Sequence, residues 1–133
     1  MVFKDRYEIT NLALQVLPGG SDLVSVGMKE YRQLLKHPTL KAAYIDTMGS
    51  DWTNVFYRLK GAVEQIDVAK AQDAIVQVGC QGADDITLMG INAILDIVRG
   101  QNDNLNIMWG TQSGVHLPPD NIYVFVVCGY SAQ

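Results

Sequence analysis

The sequence has little of what marks a membrane, secreted or nucleic-acid-binding protein. No apolar run approaches the roughly 20 residues needed to cross a bilayer, and the first ten residues, MVFKDRYEIT, lack the apolar segment of a signal peptide. Lysine and arginine number 10 against 14 aspartates and glutamates and form no run, so a basic surface for a phosphate backbone is not expected. We therefore predict a cytoplasmic protein that neither spans a membrane nor binds nucleic acid.

Cysteine and histidine are also scarce, with two of each. Cys80 and Cys128 each end a strand-like run, which predicts small buried thiols in a reducing compartment; a disulfide between them requires that their strands be neighbours. His37 and His116 lie far apart, and the sequence has no CxxC or HxxxH spacing, so we expect no metal ligands. No order of serine, histidine, cysteine and aspartate predicts a hydrolase site.

What remains is the composition of an ordinary globular domain. The 133 residues are 48% hydrophobic and 18% charged. A chain of this length buries enough surface to fold without metal ions or disulfides. We expect residues 1–133 to form a single domain.

Helical and strand-like patterns alternate along the chain. Apolar residues at helical spacing predict four helices: Tyr7 to Leu17, Met28 to Leu35, a long helix from Trp52 to Ile66 that begins beyond Ser50 or Asp51, and Leu88 to Val98. Gly61 inside the long helix implies either close packing or a locally weak helix. Runs rich in β-branched residues predict four strands: Ala42 to Met48, Asp73 to Cys80, NLNIMWG at 104–110 and NIYVFVVCGY at 121–130.

The connections predict the topology of the sheet. Two helical crossovers are long enough to join parallel strands, and the turn-rich TQSGVHLPPD at 111–120 favours a hairpin between the last two strands. The final strand is apolar on both faces, which places it inside the sheet. The expected fold is α+β in two layers: a mixed four-stranded sheet with two parallel crossovers, a C-terminal antiparallel hairpin and covering helices.

The second half of the chain also carries motifs. DITLM at 85–89, with IN at 91–92 and IVR at 97–99, resembles the pattern DLTLFEVNEAAEIVR, and NIMWG at 106–110 resembles NIIFG. VVCGY at 126–130 stands at a similar distance to the ending VIATGF. These patterns are those of the C-terminal domain of the FtsZ branch of the tubulin superfamily, which this sequence resembles. The resemblance extends from about Ile9 to Tyr130. It is best over residues 73–130 and fainter in the part of the chain before them.

That resemblance implies half of a cytoskeletal, cell-division GTPase without the half that binds the nucleotide. The GGGTGTG loop that holds GTP phosphates in the family has no counterpart. Pro18–Ser21 follows a predicted helix, and Gly79 and Gly82 form a common strand-to-helix turn. We expect no bound GTP and no other cofactor.

The family's catalytic loop, NxDxxD, enters the nucleotide site of the neighbouring subunit, and its match is partial. Ser25 replaces the asparagine, Gly27 the first aspartate and Glu30 the second. Only Glu30 retains a carboxylate for a catalytic role in trans; the alternative is a solvated carboxylate in a first helical turn. The implied interface consists of Ser25, Gly27, Lys29, Glu30 and Arg32, and the implied partner is a tubulin-like GTPase or another copy of the chain.

Two other interpretations stay open. Asp46, Asp51, Asp84 and Asp85 stand at strand ends and helix starts, where carboxylates serve either acid–base chemistry or helix capping. An enzyme or small-molecule sensor on this scaffold predicts a deep pocket with convergent polar groups. The chain is alternatively a C-terminal domain excised from a larger FtsZ-like GTPase.

Overall fold

Five strands form one mixed sheet. The computed structural model describes residues 2–16, 28–46, 52–80, 87–100, 102–112 and 122–131. Within them the strands are β1 (Val2–Phe3), β2 (Thr39–Asp46), β3 (Asp73–Cys80), β4 (Asn106–Gln112) and β5 (Ile122–Tyr130). Their order across the sheet is β1-β2-β5-β3-β4. β5 is antiparallel to β2 and β3, whereas β3 and β4 are parallel.

The described helices begin at or beside the residues that the apolar periodicity predicts. They are α1 (Arg6–Val16), α2 (Met28–Leu34), α3 (Trp52–Gln65) and α4 (Leu88–Arg99), with a short 3-10 turn at Val68–Lys70. Thr87 caps α4, since its Oγ1 accepts a hydrogen bond from the Gly90 amide at 3.0 Å. Gly100 ends α4 with φ of 54°, a positive value that glycine adopts readily.

The sheet separates two hydrophobic cores. Alternate residues of β5 point to opposite faces, and all nine are buried. Val124 and Val126 join the core beneath α3 and α4, whereas Phe125 and Val127 join the core beneath α1 and α2. The α+β class with a mixed sheet is confirmed, but the expected two layers are three, because a central strand that is apolar on both faces needs helices on both.

The predicted C-terminal hairpin is wrong, although the two strands are antiparallel in direction. β5 lies between β2 and β3, and β3 separates it from β4. The strand with two apolar faces takes the centre of the sheet, which leaves β4 at the edge. The fifth strand, β1, was not predicted, because its two residues are too few to show a periodicity; Val2 and Phe3 pair with Ala43 and Ala42.

The strand register excludes the disulfide that the sequence left open. β3 and β5 are neighbours, but Cys128 lies opposite Ala74 and Cys80 lies opposite Ile122. The pairs are six residues apart along β3, or about 20 Å. Cys128 is free and buried, as predicted for a small core residue.

Gly61 is the point at which α3 is intrinsically weak. A Cβ built there would meet no atom within 4 Å. Close packing is therefore not the reason for this glycine, and the helix lacks the stability that alanine would add.

The strand directions give the sheet two distinct ends. β2, β3 and β4 all run the same way, and β5 runs against them. We call the end where β2, β3 and β4 finish the carboxyl end, and the end where they start the amino end. α3 follows β2 and α4 follows β3, so both helices begin at the carboxyl end.

Candidate interaction surface

An apolar groove lies between the first turns of α3 and α4, at the carboxyl end of the sheet. Its volume is about 540 Å³, and its lining residues are Trp52, Phe56, Thr87, Met89, Gly90 and Ala93. None of these side chains carries a charge. The groove is therefore suited to an apolar side chain of a partner rather than to a polar substrate.

Two aromatic rings from α3 form one wall of the groove. The Trp52 and Phe56 centroids lie 5.9 Å apart with the planes tilted by 34°. Gly90 lets α4 approach this wall, because a Cβ at that position would lie 2.9 Å from Cη2 of Trp52. Trp52 and Phe56 are both half-buried and pack at the margin of the core.

Met89 borders the groove and is almost entirely exposed. Its exposed fraction is 84%, the largest among the large hydrophobic side chains that the structure describes as exposed, the others being Tyr7 and Tyr57. Methionine is flexible and polarisable, and it adapts to irregular partner surfaces. Burying such a side chain against a partner contributes about 2 kcal/mol.

The predicted interface residues that the structure describes lie on α2, on the opposite face of the sheet from this groove. α2 packs in the core beneath α1 through Tyr31 and Leu34. Lys29 and Arg32 are exposed, and Glu30 is half-buried in the first turn. Ser25 and Gly27 lie outside the described residues. The structure thus does not bring the α2 residues into the groove, and two separate surfaces are candidates.

Two buried polar side chains stand out beneath α2. The Tyr31 hydroxyl and the Gln77 amide are buried, and no described residue forms a hydrogen bond with either. Burial raises the pKa of Tyr31 above its usual range. A tyrosine held neutral in this way is a packing residue and not a candidate acid or base.

The amino end of the sheet is held by polar contacts, and His37 is one of them. Its Nε2 lies 2.6 Å from Oδ2 of Asp73, and Oδ1 of Asp73 accepts a hydrogen bond from the Asn106 amide at 3.0 Å. His37 is therefore a partnered structural residue. No local pattern indicates this pair, because its members stand 36 positions apart in the chain.

A polar cavity of about 390 Å³ also lies at the amino end, lined by Thr39, Lys41, Asp67, Lys70, Tyr130 and Ser131. Lys41 Nζ stands 5.1 Å from the centroid of the Tyr130 ring, and Lys70 Nζ lies 3.7 Å from Oδ2 of Asp67. The Tyr130 hydroxyl donates to the Ile66 carbonyl, and burial raises the pKa of Tyr130. These polar side chains contact one another or the backbone, and they are not directed at a common position where a ligand could bind.

The remaining predicted acids do not assemble into a site in the described part of the chain. Asp46 is exposed at the end of β2, and Asp51, Asp84 and Asp85 lie outside the described residues. Among the residues described, no three histidine, cysteine, aspartate or glutamate side chains are grouped to hold a metal ion. The described helices include none that is long and apolar enough to cross a membrane.

Sequence comparison finds no match to a protein-family model or to a curated protein. Comparison with solved structures, in contrast, finds similar proteins. The FtsZ dimer of M. jannaschii is 16% identical with a TM-score of 0.62, covering 82% of this chain and 32% of that chain. GDP-form protofilaments of TubZ from Bacillus thuringiensis serovar israelensis are 13% identical with a TM-score of 0.67, covering 86% and 30%. CetZ from Methanosaeta thermophila is 10% identical with a TM-score of 0.61, covering 95% and 35%.

These neighbours identify the fold class. The chain has the fold found in FtsZ/tubulin-family proteins, and the resemblance seen in its motifs is confirmed at that level. It spans about a third of the length of the structures it matches, a share consistent with their C-terminal domain.

Proposed function

We propose that this domain acts by protein–protein contact, without chemistry of its own, and that it joins or blocks stacks of a tubulin-like GTPase or of its own copies. The observation that carries this proposal is the apolar groove at the carboxyl end, with Met89 exposed beside it. An uncharged groove beside an exposed flexible side chain is typical of a protein-binding surface.

The solved neighbours support an assembly role. They include an FtsZ dimer, TubZ protofilaments and a four-stranded TubZ filament. Head-to-tail stacking requires two complementary faces on every subunit. A chain with one such face would end a stack, so we infer that it caps or terminates assemblies in the cytoplasm, in a cytoskeletal or cell-division setting.

We assign the α2 residues a second, separate contact with the partner, because they lie on the opposite face of the sheet from the groove. Lys29 and Arg32 are three residues apart on an exposed helix surface, where positive charge steers an acidic partner and sets the association rate. Ser25 and Gly27 complete the interface that the sequence predicts. A catalytic contribution of Glu30 to a partner's nucleotide site remains a hypothesis, and Glu30→Gln tests it through the partner's GTP hydrolysis rate.

Light scattering of a polymerising tubulin-like GTPase tests the main proposal. We expect the wild-type chain to change the extent of assembly in proportion to its concentration, and Met89→Asp to abolish that effect. Tyr7→Asp is the matched control, because Tyr7 is also exposed and is also the second residue of its helix. Assembly that is unchanged across a wide range of ratios would refute the proposal.

A nucleotide-binding measurement tests the underlying assignment. The isolated chain is expected to have no tight affinity for GTP. Tight binding would contradict the domain assignment itself, whereas unchanged assembly would contradict only the proposed contact. If the chain is a piece of a larger GTPase, the groove is then one half of that protein's own subunit interface.

A further inference from the structure

An open cleft separates the last turns of α3 and α4 on the outer surface of these two helices. Its volume is about 680 Å³, and both helices contribute side chains to it. The floor of the cleft is apolar, because Val63 and Ile97 are half-buried there and Val68 and Val98 are buried. A protein surface that covered this cleft would remove the half-buried side chains from water, which favours a contact at this place.

Each of the two helices carries one acid and one base beside the cleft. Lys60 and Glu64 lie one turn apart on α3, and Asp96 and Arg99 lie one turn apart on α4. All four side chains are exposed, and the salt bridges among the described residues include none of them. The sign of the charge therefore alternates along each helix, in the order base then acid on α3 and acid then base on α4.

We propose that the same surface of a second copy of the chain covers this cleft, with the helices of the two copies antiparallel. The two-fold axis crosses both helices, so α3 faces α3 and α4 faces α4. Lys60 then lies opposite Glu64 of the second copy, and Asp96 lies opposite Arg99 of the second copy, which makes the contact complementary in charge. The dipoles of the facing helices run in opposite directions, whereas a two-fold axis along the cleft would align them.

The positions of the charges agree with a single two-fold axis. On α3 the midpoint between the acid and the base lies ten residues after Trp52, the first residue of the helix. On α4 the corresponding midpoint lies nine to ten residues after Leu88. The first turns of the two helices line one groove, and at about 1.5 Å per residue both midpoints lie about 15 Å further along. One axis therefore brings together the opposite charges of both helices.

Gly61 lies beside this axis, one position before the midpoint on α3. It is exposed, and a Cβ there would meet no atom within 4 Å. The missing side chain thus serves no packing within its own chain, but it lets two copies of α3 approach closely where they cross, because the distance between packed helices depends on the side chains at the contact. Tyr57, which is 79% exposed, lies four positions earlier on the same side of α3 and extends the surface that the second copy would cover.

Molecular mass in solution tests the dimer. Size exclusion with light scattering is expected to give twice the 14.6 kDa of one chain at high concentration. Lys60→Glu and Glu64→Lys each place like charges opposite each other, and each should weaken the dimer by roughly tenfold or more. Glu8→Lys is the matched control, because Glu8 is exposed on α1, on the other face of the sheet, and it should leave the mass unchanged. Met89→Asp should also leave it unchanged, which separates this contact from the groove. A monomer mass for the wild-type chain at the highest soluble concentration overturns the proposal.

Exchange of the two charges tests the antiparallel arrangement. The chain that carries Lys60→Glu and Glu64→Lys together should dimerise like the wild type, because opposite charges again face each other. An equimolar mixture of the two single variants should also dimerise, although each alone is weakened. If neither the exchange nor the mixture restores the dimer, the antiparallel arrangement is refuted.

Gly61→Leu tests the crossing of the two α3 helices. Leucine is a better helix former than glycine, so the melting temperature of the dilute monomer should rise. The dimer should nevertheless be weakened by roughly tenfold or more, because two leucine side chains then meet beside the axis. A stabilised monomer that dimerises as well as the wild type contradicts a contact at Gly61 and overturns the proposal.

Discussion

At the amino end of the sheet polar side chains join one element to the next, whereas at the carboxyl end apolar side chains border an open groove. His37, Asp73 and Asn106 form a hydrogen-bonded row across the amino end. At the carboxyl end, Trp52 and Met89 border a space that no described side chain fills.

The difference separates structural residues from residues available for binding. When a buried or half-buried polar group loses its hydrogen-bond partner, the free energy of unfolding falls. Such a group is already hydrogen-bonded within the protein, so it has few free donors or acceptors for a ligand. An exposed apolar group contributes little to the isolated fold and gains free energy only when a partner covers it. Substitutions at the amino end should therefore change stability, and substitutions in the groove should change binding.

Gly129→Ala should have the largest effect. A Cβ at residue 129 would lie 2.3 Å from Cδ2 of His37, so the ring would have to move away from Asp73. Overpacking and the lost hydrogen bond together should lower the free energy of unfolding by about 3 kcal/mol in urea titrations. His37→Ala is the control, because it removes the ring. The double variant should lose less than the sum of the single variants, and additivity would show that the ring is not the cause.

Asn102→Ala should have the next largest effect. The Asn102 amide donates to the carbonyls of Val68 and Ala71, each at 3.0 Å. Leaving these acceptors without their partner should cost about 2 kcal/mol of unfolding free energy. The exposed Asn104 is the matched control, and Asn104→Ala should change stability by less than about 0.5 kcal/mol. Equal losses in the two variants would mean that the hydrogen bonds from Asn102 to Val68 and Ala71 do not stabilise the amino end of the sheet.

Alkaline pH should weaken the fold through Cys128. Burial raises the pKa of this thiol from 9.0 to about 12, so the unfolded chain loses the proton first. The stabilising contribution is complete below pH 9 and falls as the pH rises toward 12. Between pH 7 and pH 10 the loss should be on the order of 1 kcal/mol, measured by urea unfolding. Cys128→Ala should lose less over the same interval; an equal loss would assign the effect to other groups.

Met89→Asp should have the smallest effect on stability. Because Met89 is 84% exposed, its replacement removes almost no buried surface, and a carboxylate in the first turn of α4 is favourable to the helix. The unfolding free energy should change by less than about 0.5 kcal/mol. A change larger than 1 kcal/mol by the same titration would show that Met89 supports the fold, and the contrast between the two ends would fail.

The helices were the most predictable part of the fold. The apolar spacing located all four described helices, because this signal acts within a few residues of chain. β3 was predicted at its observed bounds, and the central position of β5 followed from its two apolar faces. β2 starts three residues before its predicted start, since Thr39, Leu40 and Lys41 become a strand only by pairing with β5.

The candidate site was much less predictable. The exposure of Met89 could not be predicted, because its place in the motif DITLM says nothing about whether the side chain faces solvent. The partnership of His37 with Asp73 and the groove between α3 and α4 both depend on residues far apart in the chain. The roles of Ser25, Gly27, Lys29, Glu30 and Arg32 were inferred from the resemblance and remain predictions.

The amino-acid sequence by itself determined the class of fold, the order of helices and strands and the central place of β5, since apolar periodicity and capping are local or depend on a single strand. Only the tertiary structure decided that β4 lies at an edge, that helices cover both faces and that Met89 faces solvent. Those features depend on which strands become neighbours. The order of the strands is the one that buries the apolar faces of the whole sheet, so no single segment determines it.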